Sequence, residues 1–214
     1  MFKKKKKKKK EEKIDERAVK MDIECIEKGM IAAIDIYNDY GTVIVRKQRT
    51  IEGKHILQMR LADIREIDVI PPEKDELPSK LHISNYPEHK DKLEAARILI
   101  VDDSKSARLL MKMLIEAAGL KVVGAAGNNE DAFQRFEKLK PTCVTLDISM
   151  PGEDGTQIIK PMLAVNPDTR IIMVSSLNYE DIIVESYELG AEQFISKPFD
   201  HEEFKKKLIE SIIK

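Results

Sequence analysis

Five short apolar runs, each followed by a segment with helical spacing, divide residues 97–214 into five strand-then-helix units. The runs are Ile98–Val101, Lys121–Ala126, Cys143–Leu146, Ile171–Val174 and Gln193–Ser196. They are nearly continuously apolar instead of alternating, the pattern of strands buried on both faces. Between them, Ser104 to Ala118 places Ala107, Leu110, Met111 and Leu114 at helical spacing and stops at Gly119. Asn128 caps a predicted helix to Leu139, and Gly155 to Ala164 follows a Pro151-Gly152 loop. Tyr179 to Leu189 is closed by Gly190, and Asp200 caps a last helix to Ile213. This alternation predicts an α/β fold, a doubly wound five-stranded parallel sheet. About 118 residues is a normal size for one such domain.

Upstream the pattern is weaker. Residues 71–96 hold Pro71, Pro72, Pro78 and Pro87 among many charges, which predicts a linker or loosely packed connector. Residues 11–70 are expected to form a small α+β accessory domain of unknown function. A helix is expected from Glu11 to about Tyr37 on the recurrence of Val19, Ile23, Ile26, Met30 and Ile34, although Gly29 weakens it, and residues 30–37 alone equally suit a strand. Strands are predicted at Thr42–Val45, His55–Leu61 and Ile67–Ile70, with a turn at Glu52-Gly53.

Charge separates the chain further. The 37 Lys+Arg and 38 Asp+Glu nearly cancel, but Lys3–Lys10 are eight consecutive lysines. Residues 1–96 sum to +3, residues 97–214 to −4, and residues 11–96 to −5. A near-neutral total is unlike a nucleic-acid-binding protein. The basic tail at 1–10 nevertheless leaves nucleic-acid or anionic-membrane contact open. A solvated, disordered tail is the plainer expectation, and few aromatics accompany the lysines to stack on a single strand. At 42% apolar residues the chain as a whole has matter for a core. No stretch approaches a membrane span, no apolar run follows the basic start, and Cys25 and Cys143 match no metal or redox spacing. A reducing cytoplasmic setting is therefore expected. No histidine among His55, His82, His89 and His201 shows ligand spacing.

In open α/β sheets, function gathers at the carboxyl ends of the strands. Here those ends carry Asp102-Asp103, Asp147, Ser175 and Lys197 followed by Pro198. A lone Asp-Asp pair is most often a turn or cap; the matching strand ends lift it above that reading. Three crowded carboxylates need a cation, and Mg2+ suits oxygen ligands. One carboxylate can then attack phosphorus to form an aspartyl phosphate, with the lysine and serine contacting the phosphoryl oxygens.

The motifs ILIVDDS at 98–104, TLDISMPGEDG at 145–155, IIMVSS at 171–176 and FISKPF at 194–199 make residues 97–214 resemble a response-regulator receiver domain, the CheY-like phosphoacceptor of two-component signalling. The resemblance implies a flavodoxin-like strand order 2-1-3-4-5. It implies Asp147 as phosphoacceptor, with Asp102, Asp103, Asp147 and the backbone carbonyl of Ser149 holding Mg2+. Ser175 and Phe194 match the switch positions, Phe where many members have Tyr, and Lys197 matches the phosphate-contacting lysine. Pro198 matches the proline whose peptide bond is commonly cis. A sensor histidine kinase would be the phosphodonor, and a downstream protein would bind the 179–213 face.

The chain ends soon after the last predicted helix, so output by protein contact, of the chemotaxis type and without catalysis on a further substrate, is expected. The alternative is a regulator whose N-terminal segment binds nucleic acid or anionic membrane through Lys3–Lys10. An aspartate-nucleophile phosphatase is set aside, because that family separates its two aspartates by one residue and Asp102 and Asp103 are adjacent.

Overall fold

A computed structural model describes residues 14–26, 28–71, 81–150, 153–177 and 179–214. Lys3–Lys10 and the Pro151-Gly152 loop lie outside the described residues. The chain divides into two compact units, residues 1–71 and 72–214.

The first unit contains β1 (Val19–Asp22), β2 (Ile31–Ala32), β3 (Ile36–Tyr37), β4 (Val43–Val45), α1 (Gly53–Leu61) and β5 (Glu66–Ile70). β5 runs antiparallel between β1 and β2, pairing Val69 with Val19 and Ile70 with Ile31. β3 and β4 form a hairpin whose tip is fixed by Asn38, which accepts the amides of Tyr40 and Thr42 at 3.1 and 2.9 Å. Met21, Ala32, Ile51, Met59 and Val69 form the fully buried centre.

Two expectations are corrected here. Residues 19–37 are not a helix. Their three-to-four spacing of apolar residues arises from β1, a 3-10 turn at Ile23–Cys25 and a bend at Gly29. Gly29 has φ +105, a backbone conformation that ends helical continuity, and its amide donates to the Ile51 carbonyl. The run His55–Leu61 is helix α1, not a strand. Glu52 and His55 form reciprocal caps at its start, and of its apolar residues only Met59 is buried.

In the second unit, residues 83–95 are not an extended linker. They form 3-10 turns at Ile83–Asn85 and Pro87–His89 and then α2 (Lys90–Ala95). Leu93 of α2 is buried, the Ile83 amide donates to the Ala118 carbonyl, and Lys92 Nζ donates to the Ile213 carbonyl at 3.0 Å. A Cβ on Gly119, at φ +84, would stand 2.6 Å from the His82 ring, so this segment seats tightly on the helix end it covers.

The remaining elements are β6 (Arg97–Val101), α3 (Lys105–Ala117), β7 (Lys121–Ala126), α4 (Asn129–Leu139), β8 (Cys143–Leu146), a short hairpin of β9 (Ser149–Met150) and β10 (Glu153–Asp154), α5 (Ile159–Val165), β11 (Arg170–Ser175), α6 (Glu180–Glu188), β12 (Gln193–Ser196) and α7 (His201–Ile213). Five strands pair in parallel in the order β7-β6-β8-β11-β12. Leu99, Val101, Val144, Leu146, Ile171 and Met173 pack with Phe136 of α4 and Met162 of α5. The alternate positions Ile98, Ile100, Ile172 and Val174 are equally buried, and α3 and α7 pack together with buried faces of their own. Layers therefore cover both sheet faces, as continuously apolar strands require. Ser104, Asn128 and Asp200 each cap the helix that follows, accepting backbone amides. No helix among the described residues is long and apolar enough to cross a membrane.

Candidate functional site

Parallel strands bring residues distant in sequence to one edge, here the carboxyl ends of β6, β8, β11 and β12. Asp102 follows β6 and Asp147 follows β8, both buried, while Asp103 is exposed at the rim. Carboxylate oxygens of all three lie within 4.8 Å of one another. From β12, Lys197 bridges the two buried acids, with Nζ 2.6 Å from Asp102 Oδ2 and 2.6 Å from Asp147 Oδ2. The Lys197-Pro198 peptide bond is cis.

Electrostatics here is a balance of burial and pairing. Burial pushes the Asp102 carboxyl up, and the charge of Lys197 offsets this only in part. Burial would lower the Lys197 ammonium, but the two carboxylates outweigh it and hold the amine above its ordinary value. The pocket thus keeps its cation and carries crowded negative charge with one lysine to compensate it. Such a donor set, all carboxylate oxygen, fits a hard divalent cation such as Mg2+.

The backbone fixes these side chains. The Ser104 amide donates to Asp102 Oδ1 at 2.9 Å, and the Ser149 amide donates to Asp147 Oδ1 at 2.9 Å. Ser175, at the end of β11, places Oγ 3.0 Å from Ser149 Oγ and accepts the Leu177 amide at 3.2 Å. Phe194 of β12 is buried in the core cluster, and its carbonyl accepts Lys207 Nζ from α7 at 3.1 Å. All the residues singled out from strand ends therefore converge, while Phe194, matched as a switch position, is buried within β12.

Two supporting residues escaped the sequence reading. Arg108, one turn into α3, donates to the carbonyls of both Asp102 and Asp103 and so holds the acidic pair's backbone. Nothing in its position along a helix signals this. Gly155 packs against the Asp147 loop so closely that a Cβ there would lie 1.9 Å from the Asp147 carbonyl oxygen. Its signal was present in the glycine eight residues after Asp147, but only the fold shows what it touches. Cys143 is fully buried, which pushes its thiol up to about 12, so it remains a packing residue.

This geometry defines a class: doubly wound α/β proteins with an acidic cation pocket at the carboxyl edge of a parallel sheet. Residues 98–209 match the response regulator receiver domain, and the chain belongs to that family. The chemotaxis protein CheY of Thermotoga maritima is 39% identical over 103 residues, which span 48% of this chain and 86% of that protein. A protein-glutamate methylesterase/protein-glutamine glutaminase of Bacillus licheniformis is 41% identical over 105 residues, 48% of this chain but 29% of that protein. Among solved structures, a CheX-CheY-BeF3-Mg2+ complex from Borrelia burgdorferi matches with TM-score 0.55 and 27% identity over 58% of this chain and 94% of the other. Receiver domains bind Mg2+ at an acidic pocket, and this chain has the aspartate cluster for it.

Proposed function

We propose that this protein is a two-component response regulator that accepts a phosphoryl group on Asp147 from a sensor histidine kinase. The carrying observation is the meeting of Asp102, Asp103, Asp147 and Lys197 at one sheet edge. An oxygen of Asp147 forms a bond to phosphorus as the P–N bond of the donor phosphohistidine breaks, and the donor leaves as imidazole. Asp102, Asp103, Asp147 and the Ser149 carbonyl would hold Mg2+, which when bound neutralises charge on the phosphoryl oxygens. Lys197 pairs with another of those oxygens by leaving its present carboxylate partners. The Ser149 amide keeps Asp147 oriented throughout.

The switch is a population shift. Ser175 Oγ exchanges its contact with Ser149 for a phosphoryl oxygen, and β12 follows with Phe194 and Lys197. Because Lys207 is bonded to the Phe194 carbonyl, movement of β12 reaches α7 and alters the 179–213 face. A downstream protein reads that face. Chemotaxis-type output by protein contact is supported by the CheY relatives and by the solved CheY bound to CheX. The test is incubation with acetyl phosphate and Mg2+ followed by intact mass. The parent should gain one phosphoryl group and Asp147→Ala none; equal labelling of both would refute the assignment.

A further inference from the structure

Three carboxylates meet at the cation pocket, but the fold holds them unequally. Asp102 Oδ1 accepts the Ser104 amide, and its Oδ2 pairs with Lys197 Nζ. Asp147 is held in the same way, by the Ser149 amide and by Lys197. Asp103 is exposed, and among the described residues no hydrogen bond or ion pair reaches its carboxylate. What holds Asp103 is its main chain. Arg108 Nη1 donates to the Asp103 carbonyl at 2.9 Å and to the Asp102 carbonyl at 2.5 Å.

Those two carbonyls belong to the rigid peptide planes on either side of the Asp103 Cα. Holding both planes fixes φ and ψ of Asp103, and with them the direction in which its side chain leaves the backbone. Both bonds go to main chain, so neither takes a carboxylate oxygen away from a cation. The guanidinium also has a slot of its own. A Cβ on Gly127, the residue after β7, would stand 3.1 Å from Arg108 Nη1 and 3.6 Å from its Cζ. The glycine thus leaves open the space that the half-buried Arg108 fills.

We propose that Arg108 is a positioning residue of the cation pocket: it aims Asp103 through the main chain and so sets the affinity for Mg2+. The proposal rests on the receiver reading above. Without the two bonds Asp103 would sample several directions, and a cation would have to order it on binding. Sparing that ordering is what outer contacts of a metal site contribute. As a bare positive charge Arg108 would act the opposite way and repel the cation. The sign of its effect on Mg2+ affinity therefore separates the two roles. Asp147 is oriented by Ser149 and Lys197, not by Arg108, so the loss should fall on the Mg2+ requirement and spare the rate at saturation.

The test uses the full chain. Mg2+ binding is measured by titration calorimetry without a phosphodonor, and labelling by acetyl phosphate is timed over a Mg2+ series. Arg108→Met keeps the side-chain stem and loses the donors. It should weaken Mg2+ binding about tenfold. The Mg2+ needed for half-maximal labelling should rise by the same factor, with the plateau rate unchanged. Arg108→Lys, which keeps a donor but not the planar fork, should shift both in the same direction and less. In an Asp103→Asn background the loss on Arg108→Met should shrink to within about twofold, since the residue it aims is already altered. Urea midpoints check that each variant is folded; where Arg108→Met is not, Arg108→Lys decides in its place. Mg2+ affinity unchanged or raised, whatever happens to the urea midpoint, would overturn the proposal. So would a full tenfold loss that persists in the Asp103→Asn background. A parent chain that neither binds Mg2+ nor labels would instead bring down the receiver reading, and this role with it.

Discussion

The two units expose their chemistry in opposite ways. In residues 72–214 the reactive groups are drawn inward to the end of a parallel sheet, where Asp102 and Asp147 are buried and clamped by Lys197. Among the described residues of 1–71 the strands are two to five residues long and antiparallel, and the conspicuous groups, Tyr40 at a hairpin tip, Arg49 after a turn and Leu57 on α1, sit outside. A parallel ladder collects residues 45 and 50 positions apart at one edge, as 102, 147 and 197 are here. Short antiparallel pieces offer surfaces instead of a closed pocket. The units should therefore respond differently to substitution: the second steeply, through packing and buried charge, and the first weakly, through surface contacts.

The largest effect should come from Gly155→Ala. Its Cβ would collide with the Asp147 carbonyl, which is backbone and cannot swing aside. A loss of about 3 kcal/mol or more in urea unfolding is expected, at or beyond the top of the overpacking range. A midpoint equal to the parent's would break the claim that the site is built to such tolerance. Next, Lys197→Met leaves two buried carboxylates facing each other. Breaking such a cluster costs about 3 kcal/mol. Mg2+ should restore much of this loss, and restoration is the reading that separates charge from packing.

Leucines sharpen the comparison. Leu93→Ala, in the segment 83–95, should destabilise by about 2–3 kcal/mol, because the residue is buried. Leu57→Ala, exposed on α1, should stay within about 0.5 kcal/mol. Equal effects would erase the contrast. A further effect is pH-dependent. His201, at the start of α7, is held down to about 4, chiefly by burial and then by the charge of Lys205, with Asp200 opposing. The unfolded chain takes up a proton near pH 6.5 that the folded chain refuses until about 4, so stability falls as pH drops through that window. His201→Gln should remove about 1 kcal/mol of that fall between pH 7 and 5, after allowing for solvent screening. A variant that loses as much as the parent would refute it.

The same contrast decides what could be read from the sequence. The strands of the second unit were legible because sheet burial on both faces leaves apolar runs with no polar interruption, and a polar residue must follow where the sheet ends. Asp102, Asp147, Ser175 and Lys197 sat at those breaks. Segment 83–95 was not legible. One buried leucine in a six-residue helix makes no period, and the prolines and charges around it imitate a linker. In the first unit, helix α1 buries only Met59, so its apolar residues carried no helical face to detect. Gly155 and Arg108 act through backbone carbonyls, and a contact to main chain leaves no trace in residue type.

The pairing of Lys92 with the Ile213 carbonyl has a mechanical consequence. The chain enters the second unit beside its final helical turn, at the amino ends of the strands. Strand β6, five residues long, separates that base from Asp102 by roughly 16 Å. A pull on the upstream chain therefore loads α2 and the end of α7 together before it reaches β6. The unit is held by its base, as a tool is by its handle, with the carboxylate edge left at the working end.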